Sequence, residues 1–124
     1  MTTPADALAV IDGSLCELDR TGDRILRHAP LATAVVEFRR SPFRTYVREH
    51  PYGLLPGLPN LYCLDGDDRL LWMAEWPATN DPCAVIVGEE NGELHVMSVS
   101  GATVRLDAAT GRLLSWRAHV AATA

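Results

Sequence analysis

Apolar and polar positions along this chain alternate over short stretches, and no apolar stripe recurs at the 3.6-residue period of a long helix. Short runs rich in Val, Ile, Leu and aromatic residues are broken by clusters of Gly, Pro, Asp and Ser. That pattern predicts an all-β chain built of hairpins. Residues 8–38 predict two or three strands, with LATAVVEF (31–38) the clearest β-former. RRSPFRTYVREH (39–50) is mixed; a strand over Phe43–Arg48 is expected, with a short helical turn as the alternative. PYGLLPGLPN (51–60) holds three prolines and two glycines, so it predicts an ordered loop or crossover. Its leucines, Leu54, Leu55 and Leu58, are unusual in a solvated loop and are expected to cover an open end of the core or a partner's surface.

The C-terminal third is the most readable. CAVIVGEENGELHVM (83–97) contains Asn91-Gly92, which favours a type I′ turn because both central positions need positive φ. That turn sets Glu90 opposite Glu93, Val87 opposite Val96 and Ile86 opposite Met97. Apolar residues then meet on both faces, so the hairpin is expected to be covered on both sides. SVSG and AATG supply two further turns, and 83–119 reads as a four-stranded antiparallel meander. The expected fold is a meander of hairpins over residues 1–124 as one domain, forming a bent sheet or a two-layer sandwich of propeller-blade-like repeats.

A repeat underlies the pattern. LCELDRTGDRIL (15–26), LYCLDGDDRLL (61–71) and VRLDAATGRLL (104–114) each run from Leu-Asp through a polar loop to Arg and two large aliphatics. Leu18, Leu64 and Leu106 are spaced by 46 and 42 residues. Each copy predicts a hairpin in which the aspartate caps the turn. The pairs Asp19/Arg24, Asp65/Arg69 and Asp107/Arg112 are then expected as cross-strand ion pairs. A calcium reading of Asp65, Asp67 and Asp68 meets neither the DxDxDG spacing nor the distal glutamate of an EF-hand loop. A turn accounts for all three copies.

NLYCLDGDDRLLW and VRLDAATGRLLSW resemble the repeat of quinoprotein-type (PQQ-like) β-propellers, where a strand ending in Leu-Asp leads through a Thr-Gly turn to a strand ending in Trp. Trp72 and Trp116 match the repeat's tryptophan, and the first copy has Arg27 near that place. The resemblance implies blade-like units. Three are too few for the usual four to eight blades. No residue matches a quinone site, so the family's cofactor and dehydrogenase activity do not carry over and no cofactor is expected.

Length and charge narrow the function. With 124 residues, 48% of them hydrophobic, the chain suffices for one domain with a core. A net charge of −5 argues against nucleic acid as a partner. All eleven basic residues are arginine. No stretch approaches a membrane-spanning length, and MTTPADALAVIDGS has no basic start, so no membrane association and no signal peptide are expected. Cys16, Cys63 and Cys83 lack CxxC spacing and read as buried, reduced thiols of a cytoplasmic protein.

Candidate chemistry is sparse. His28, His50, His95 and His119 form no metal-ligand spacing, no Ser or Cys sits in a nucleophile context, and neither a metal site nor a catalytic residue is expected. Arg39, Arg40, Arg44 and Arg48, interleaved with Phe43 and Tyr46, are the one basic cluster, either a solvated strand edge or a site for an acidic partner. Trp72, Ala74 and Trp76 alternate on one face of a strand with Leu71 and Met73 on the other. Two tryptophans on one face read as core; an open face would be a partner or ligand surface. The expected function is a non-enzymatic protein-interaction module using Arg40, Phe43, Arg44, Tyr46, Arg48, Leu54, Leu55, Leu58 and Trp76. The alternative is a small-molecule-binding β-protein or an enzyme with a pocket of Trp72, Trp76, Tyr46 and His50. A homodimer is also expected, through the 51–59 loop or an edge strand around Phe43–Arg48.

Overall fold

The structure, a computed structural model, describes residues 8–55 and 57–119. The chain forms eleven strands, every pair antiparallel, and no helix among the described residues. β1 (Leu8–Ile11), β2 (Ser14–Leu18) and β3 (Arg24–His28) make the first sheet. β4 (Val35–Arg40), β5 (Thr45–Glu49), β6 (Leu61–Leu64) and β7 (Leu70–Met73) make the middle one. β8 (Cys83–Glu90), β9 (Glu93–Ser98), β10 (Thr103–Asp107) and β11 (Leu113–Arg117) make the last, so the C-terminal meander forms as expected. With no helix present, none is long and apolar enough to cross a membrane among these residues.

The all-β antiparallel meander is therefore what forms, and its strands divide among three sheets rather than one bent sheet or two layers. Strand alternation explains the stacking. Tyr46, Cys63 and Trp72 lie opposite one another on one face of the middle sheet and pack against Ile86, Leu94, Val96 and Leu106 of the last. Val47 and Tyr62 pair on the other face and, with Val35, pack against Val10 of the first sheet. Both faces of the middle sheet are covered, and β6 is accordingly buried at all four positions. β1 runs against β4, and β4 against β8.

The Leu-Asp repeat becomes the same turn in each sheet. Asp19, Asp65 and Asp107 each donate a backbone N–H across the turn, to Asp23, Arg69 and Arg112 respectively (3.0, 2.8 and 2.8 Å). Each carboxylate also accepts two backbone N–H groups within its own loop: Thr21 and Asp23, Asp67 and Arg69, Ala109 and Thr110. The expected cross-strand ion pairs do not form among the described residues, because those carboxylates are already turned inward to cap the amides. Arg24 instead meets Asp12 at 2.7 Å. Among the described residues no three His, Cys, Asp or Glu side chains gather in a metal-holding arrangement.

Other expectations shift by a residue or two. Residues 8–38 hold three whole strands and the start of a fourth, since Asp12 and Gly13 make a two-residue turn at positive φ (51° and 76°). The strand placed at Phe43–Arg48 is β5, Thr45–Glu49; Phe43 sits in the preceding turn, where Ser41 N–H donates to Arg44 C=O. β5 is also an interior strand, and the edges of the middle sheet are β4 and β7. Asn91 and Gly92 do adopt positive φ (52° and 76°), and Glu90 lies opposite Glu93. A bulge between Ile86 and Gly88 then shifts the register, so Ile86 faces Val96 and Val85 faces Met97. One face of this hairpin is buried by Ile86, Leu94 and Val96, whereas Val85 and Val87 stay exposed, so it is covered on one side only.

Candidate functional site

Hairpin geometry sorts the sequence-predicted residues to opposite ends of the middle sheet. The β4–β5 and β6–β7 turns lie at one end, and the β5–β6 and β7–β8 connections at the other. Phe43, with Arg40 and Arg44 beside it in sequence, belongs to the first end, and Leu54, Leu55, Leu58 and Trp76 to the second. The structure thus brings Leu54, Leu55, Leu58 and Trp76 together at one end and leaves Phe43, Arg40 and Arg44 at the other.

The arginine cluster is largely engaged within the fold. Arg48 Nε donates to Glu37 Oε1 at 2.7 Å, and the same oxygen accepts the Ile86 amide at 3.1 Å, tying β5 and β4 to β8. Arg44 stands 3.9 Å from Glu89. Tyr46, expected at an interface, is buried against Trp72 with its hydroxyl donating to Glu89. Burial, then the Glu89 hydrogen bond, pushes that phenol well above its ordinary value. The expected pocket of Trp72, Trp76, Tyr46 and His50 does not assemble either, because the first and third of these face the last sheet. Phe43 is 79% exposed, whereas Tyr46 and Val47 of the same segment are buried.

At the other end the two long connections enclose a cleft of about 310 Å³. Tyr52, Leu55, Leu58 and Pro59 line it from the β5–β6 side, and Trp76 and Pro82 from the β7–β8 side. Its walls are fixed by hydrogen bonds. Trp76 Nε1 donates to the Asp81 carbonyl at 2.8 Å. The Asp81 carboxylate accepts from the Ser98 hydroxyl (2.7 Å) and from the Ser100 amide (2.8 Å) and hydroxyl (2.6 Å). Partial burial opposes its charge, but the Ser100 and Ser98 bonds outweigh burial and hold it below the usual carboxylate range. On the opposite wall Leu58 N–H closes on Leu55 C=O at 3.1 Å, and the His50 ring accepts the Tyr52 amide at 3.2 Å and meets the Tyr52 ring edge to face.

Asn60 joins the cleft to the core. Its side-chain amide donates to Glu49 C=O (2.9 Å) and Cys83 C=O (2.8 Å), and its oxygen accepts the Cys83 N–H (2.9 Å). One buried side chain thus clamps β5, β6 and β8 beneath the two loops.

Polar chemistry in the cleft is confined to neutral groups. Tyr52, Asn60, Thr79 and Asn80 supply it, and no carboxylate, imidazole, guanidinium or thiol lines the cleft among the described residues. The cysteines are buried elsewhere, and burial raises the Cys63 and Cys83 thiols to about 12, so neither is a thiolate at neutral pH.

The most connected ionisable group lies apart from the cleft. Glu49 is buried, and its carboxylate accepts the consecutive amides of Leu31 (2.6 Å), Ala32 (2.9 Å) and Thr33 (2.8 Å) together with the Tyr62 hydroxyl. Tyr62 in turn meets His28 Nε2 at 2.6 Å. Burial opposes the Glu49 charge, yet the Tyr62 bond and three amides overcome it and keep its pKa below the ordinary value. Burial depresses His28, with Glu49 and Asp68 opposing that shift. This chain of contacts pins the connection between the first and middle sheets, and its acid is consumed by structural hydrogen bonds.

Sequence reading found the PYGLLPGLP side of the cleft through its leucines and missed the facing wall, Thr79, Asn80 and Pro82. The available signal was WPATNDP (76–82), a connection with two prolines placed directly after a tryptophan. No protein-family model matches this chain, and no curated protein or solved structure matches it.

Proposed function

We propose that this chain is a non-enzymatic binding module whose site is the cleft between the β5–β6 and β7–β8 connections and whose ligand is a segment of a partner protein. The observation that carries this reading is the cleft's lining: two aromatic rings and several aliphatic side chains on hydrogen-bonded loops, with no carboxylate, imidazole, guanidinium or thiol among the described residues. Preordered apolar walls lose little entropy on binding, which favours affinity, and the described lining residues include no acid–base pair or activated nucleophile. Tyr52 and Leu55 stand out at the rim, 69% and 74% exposed, as anchors for a surface larger than the cleft. Thr79 and Asn80 add neutral donors and acceptors suited to a peptide backbone.

A photocrosslinking amino acid placed at Leu55 in growing cells tests the proposal, with the same group at Phe43, at the opposite end, as comparison. A polypeptide adduct from position 55 that disappears with Trp76→Ala supports the module. Adducts from position 43 alone would overturn it. The cleft volume, at the lower end of the roughly 300–1,000 Å³ of small-molecule sites, favours a small apolar ligand as the second reading. Native mass spectrometry of the purified chain separates the two: a retained small molecule lost with Trp76→Ala supports that second reading.

A further inference from the structure

The three sheets stack by one relation used twice. The face of the first sheet that carries Val10 meets Val47 and Tyr62 of the middle sheet. The opposite face of the middle sheet, with Tyr46, Cys63 and Trp72, meets Leu94 and Leu106 of the last. At both junctions the first strands run together, β1 against β4 and β4 against β8. At both, the last strand of one sheet reaches the Leu-Asp turn of the next: Arg27 of β3 meets Asp68 at 2.9 Å, and Trp72 of β7 lies against Gly111.

Such a stack leaves two unlike faces with no neighbouring sheet among the described residues. On the first sheet it is the side away from Val10. Ala9, Cys16 and Leu26 share a row of the register there, Leu18 follows Cys16 on the same side, and Leu26 is 62% exposed. On the last sheet it is the side away from Ile86, where Val85 pairs with Met97, and Val85 and Val87 are exposed. The first sheet lacks one before it and the last sheet lacks one after it. A second copy of the chain supplies both by repeating the internal relation.

The register also supplies the charges for such a junction. Arg27 lies two residues beyond Ile25, which pairs with Glu17, the residue before the repeat's Leu18. Arg117 lies two residues beyond Ser115, which pairs with Arg105, the residue before the repeat's Leu106. The two arginines therefore occupy equivalent places. Asp68, the partner of Arg27, directly precedes Arg69 of its repeat, as Asp23 directly precedes Arg24. Arg117 is exposed and makes no ion pair among the described residues. Asp23 is exposed too, and its carboxylate accepts only the Thr21 hydroxyl (3.1 Å) among them. We propose that two copies of this chain associate head to tail. The open face of the last sheet of each packs on the open face of the first sheet of the other, and Arg117 meets the partner's Asp23 as Arg27 meets Asp68. Both ends of each copy are then covered, so two copies close into a ring of six sheets, within the four to eight that close such rings. These faces are separate from the cleft, so the proposal stands or falls independently of the binding-module reading.

Light scattering at micromolar concentration should report about twice the 13.5 kDa chain mass, with no growth beyond it as concentration rises. Arg117→Asp or Asp23→Arg alone should lower the mass toward that of one chain. The two together in one chain should restore it, since each junction regains an opposite pair. Leu26→Glu and Val87→Glu, on the two unlike faces, should each lower the mass, whereas Leu55→Asp, in the cleft, should not. A monomer mass for the unaltered chain, growth past two copies, or indifference to the charge reversals would overturn the proposal. So would a dimer lost with only one of Leu26→Glu and Val87→Glu, which would mean that like faces pair, or a dimer dispersed by Leu55→Asp. Should the variants fail to fold, hydroxyl-radical labelling of the unaltered chain decides. Labelling of Leu26 and Met97 that falls as protein concentration rises supports the junction, and concentration-independent labelling contradicts it.

Discussion

Gly111 lies directly beneath the indole of Trp72, so close that a Cβ on the glycine would fall 2.3 Å from the ring's Cε3 atom. The contact joins the last turn of the C-terminal meander to the middle sheet. The same turn accepts the Trp72 Nε1–H at the Ala108 carbonyl, 3.1 Å away, and receives the Glu75 amide at the Gly111 carbonyl, 2.9 Å away. Gly111 also holds a φ of +75°, so a side chain there is strained twice over.

Gly111→Ala should therefore cost about 2–4 kcal/mol, combining overpacking against a buried ring with a positive-φ penalty. Gly66→Ala, in the equivalent turn of the middle sheet with nothing within 4 Å of the added carbon, should be near neutral. Urea unfolding of the two variants checks the contrast, and equal midpoints would remove the role assigned to the Trp72 contact.

The aspartates of the repeated turns act as backbone caps. Asp65→Ala should lose about 0.5–2 kcal/mol, as for other caps that satisfy backbone amides, whereas Arg69→Ala should change folding stability little. Millimolar calcium should leave the melting temperature of the unaltered chain where it is. A calcium-dependent rise abolished by Asp65→Ala would instead make this loop a metal site.

Acid should unfold the protein in two stages. His28 has its folded pKa depressed below 6.5 by burial, so the unfolded chain takes up the proton first and stability falls as pH drops below about 6.5. Glu49 has a folded pKa below its ordinary 4.5, so its contribution is fully present above that value and is lost as pH falls further, through the folded pKa. Glu49→Ala should cost about 3–5 kcal/mol near neutrality, because three amides and the Tyr62 hydroxyl lose a buried acceptor. Stability measured by urea titration from pH 8 to 3 should show both steps, with the upper one absent in His28→Phe.

At the Asn91-Gly92 turn the cost of substitution should be purely conformational. Gly92 has φ +76° and open space where a Cβ would lie, so Gly92→Val should lose about 1–3 kcal/mol. Glu93→Gln weakens only part-exposed contacts to Arg105 and His95 and should stay within about 1 kcal/mol. Matching losses in a thermal melt would count against the strain assigned to this turn.

Local chemistry was legible in the sequence where it fixes local geometry. Asn91-Gly92, the three Leu-Asp turns and the 83–119 meander follow from turn residues and alternation alone. Asp12-Gly13 carried the same two-residue signal and marks the β1–β2 turn, which is why an expectation of two or three strands over 8–38 falls short. What sequence spacing does not encode is which aspartate oxygen is already occupied, so ion pairs expected at Asp19, Asp65 and Asp107 give way to amide caps. The bulge at Val87 had one sequence signal, Gly88 inside β8, because a glycine within a strand often marks a bulge. Tyr46 and Phe43 lie three residues apart, and only the turn between β4 and β5 decides that one is core and the other exposed. Leu55 and Trp76 meet across the cleft because the β5–β6 and β7–β8 connections share one end of the sheet, a property of topology rather than of any motif.

Hydroxyl-radical footprinting of the chain, alone and inside the cells that make it, tests the binding-cleft account most directly. Tyr52, Leu55 and Trp76 report on the cleft, while Phe43 at the far end and Val87 on the last sheet's open face report on the rest of the surface. The account predicts that the three cleft residues are protected in the cell relative to the purified chain, while Phe43 and Val87 keep their reactivity. Unchanged labelling of Tyr52, Leu55 and Trp76, with protection appearing at Phe43 or Val87, would contradict it.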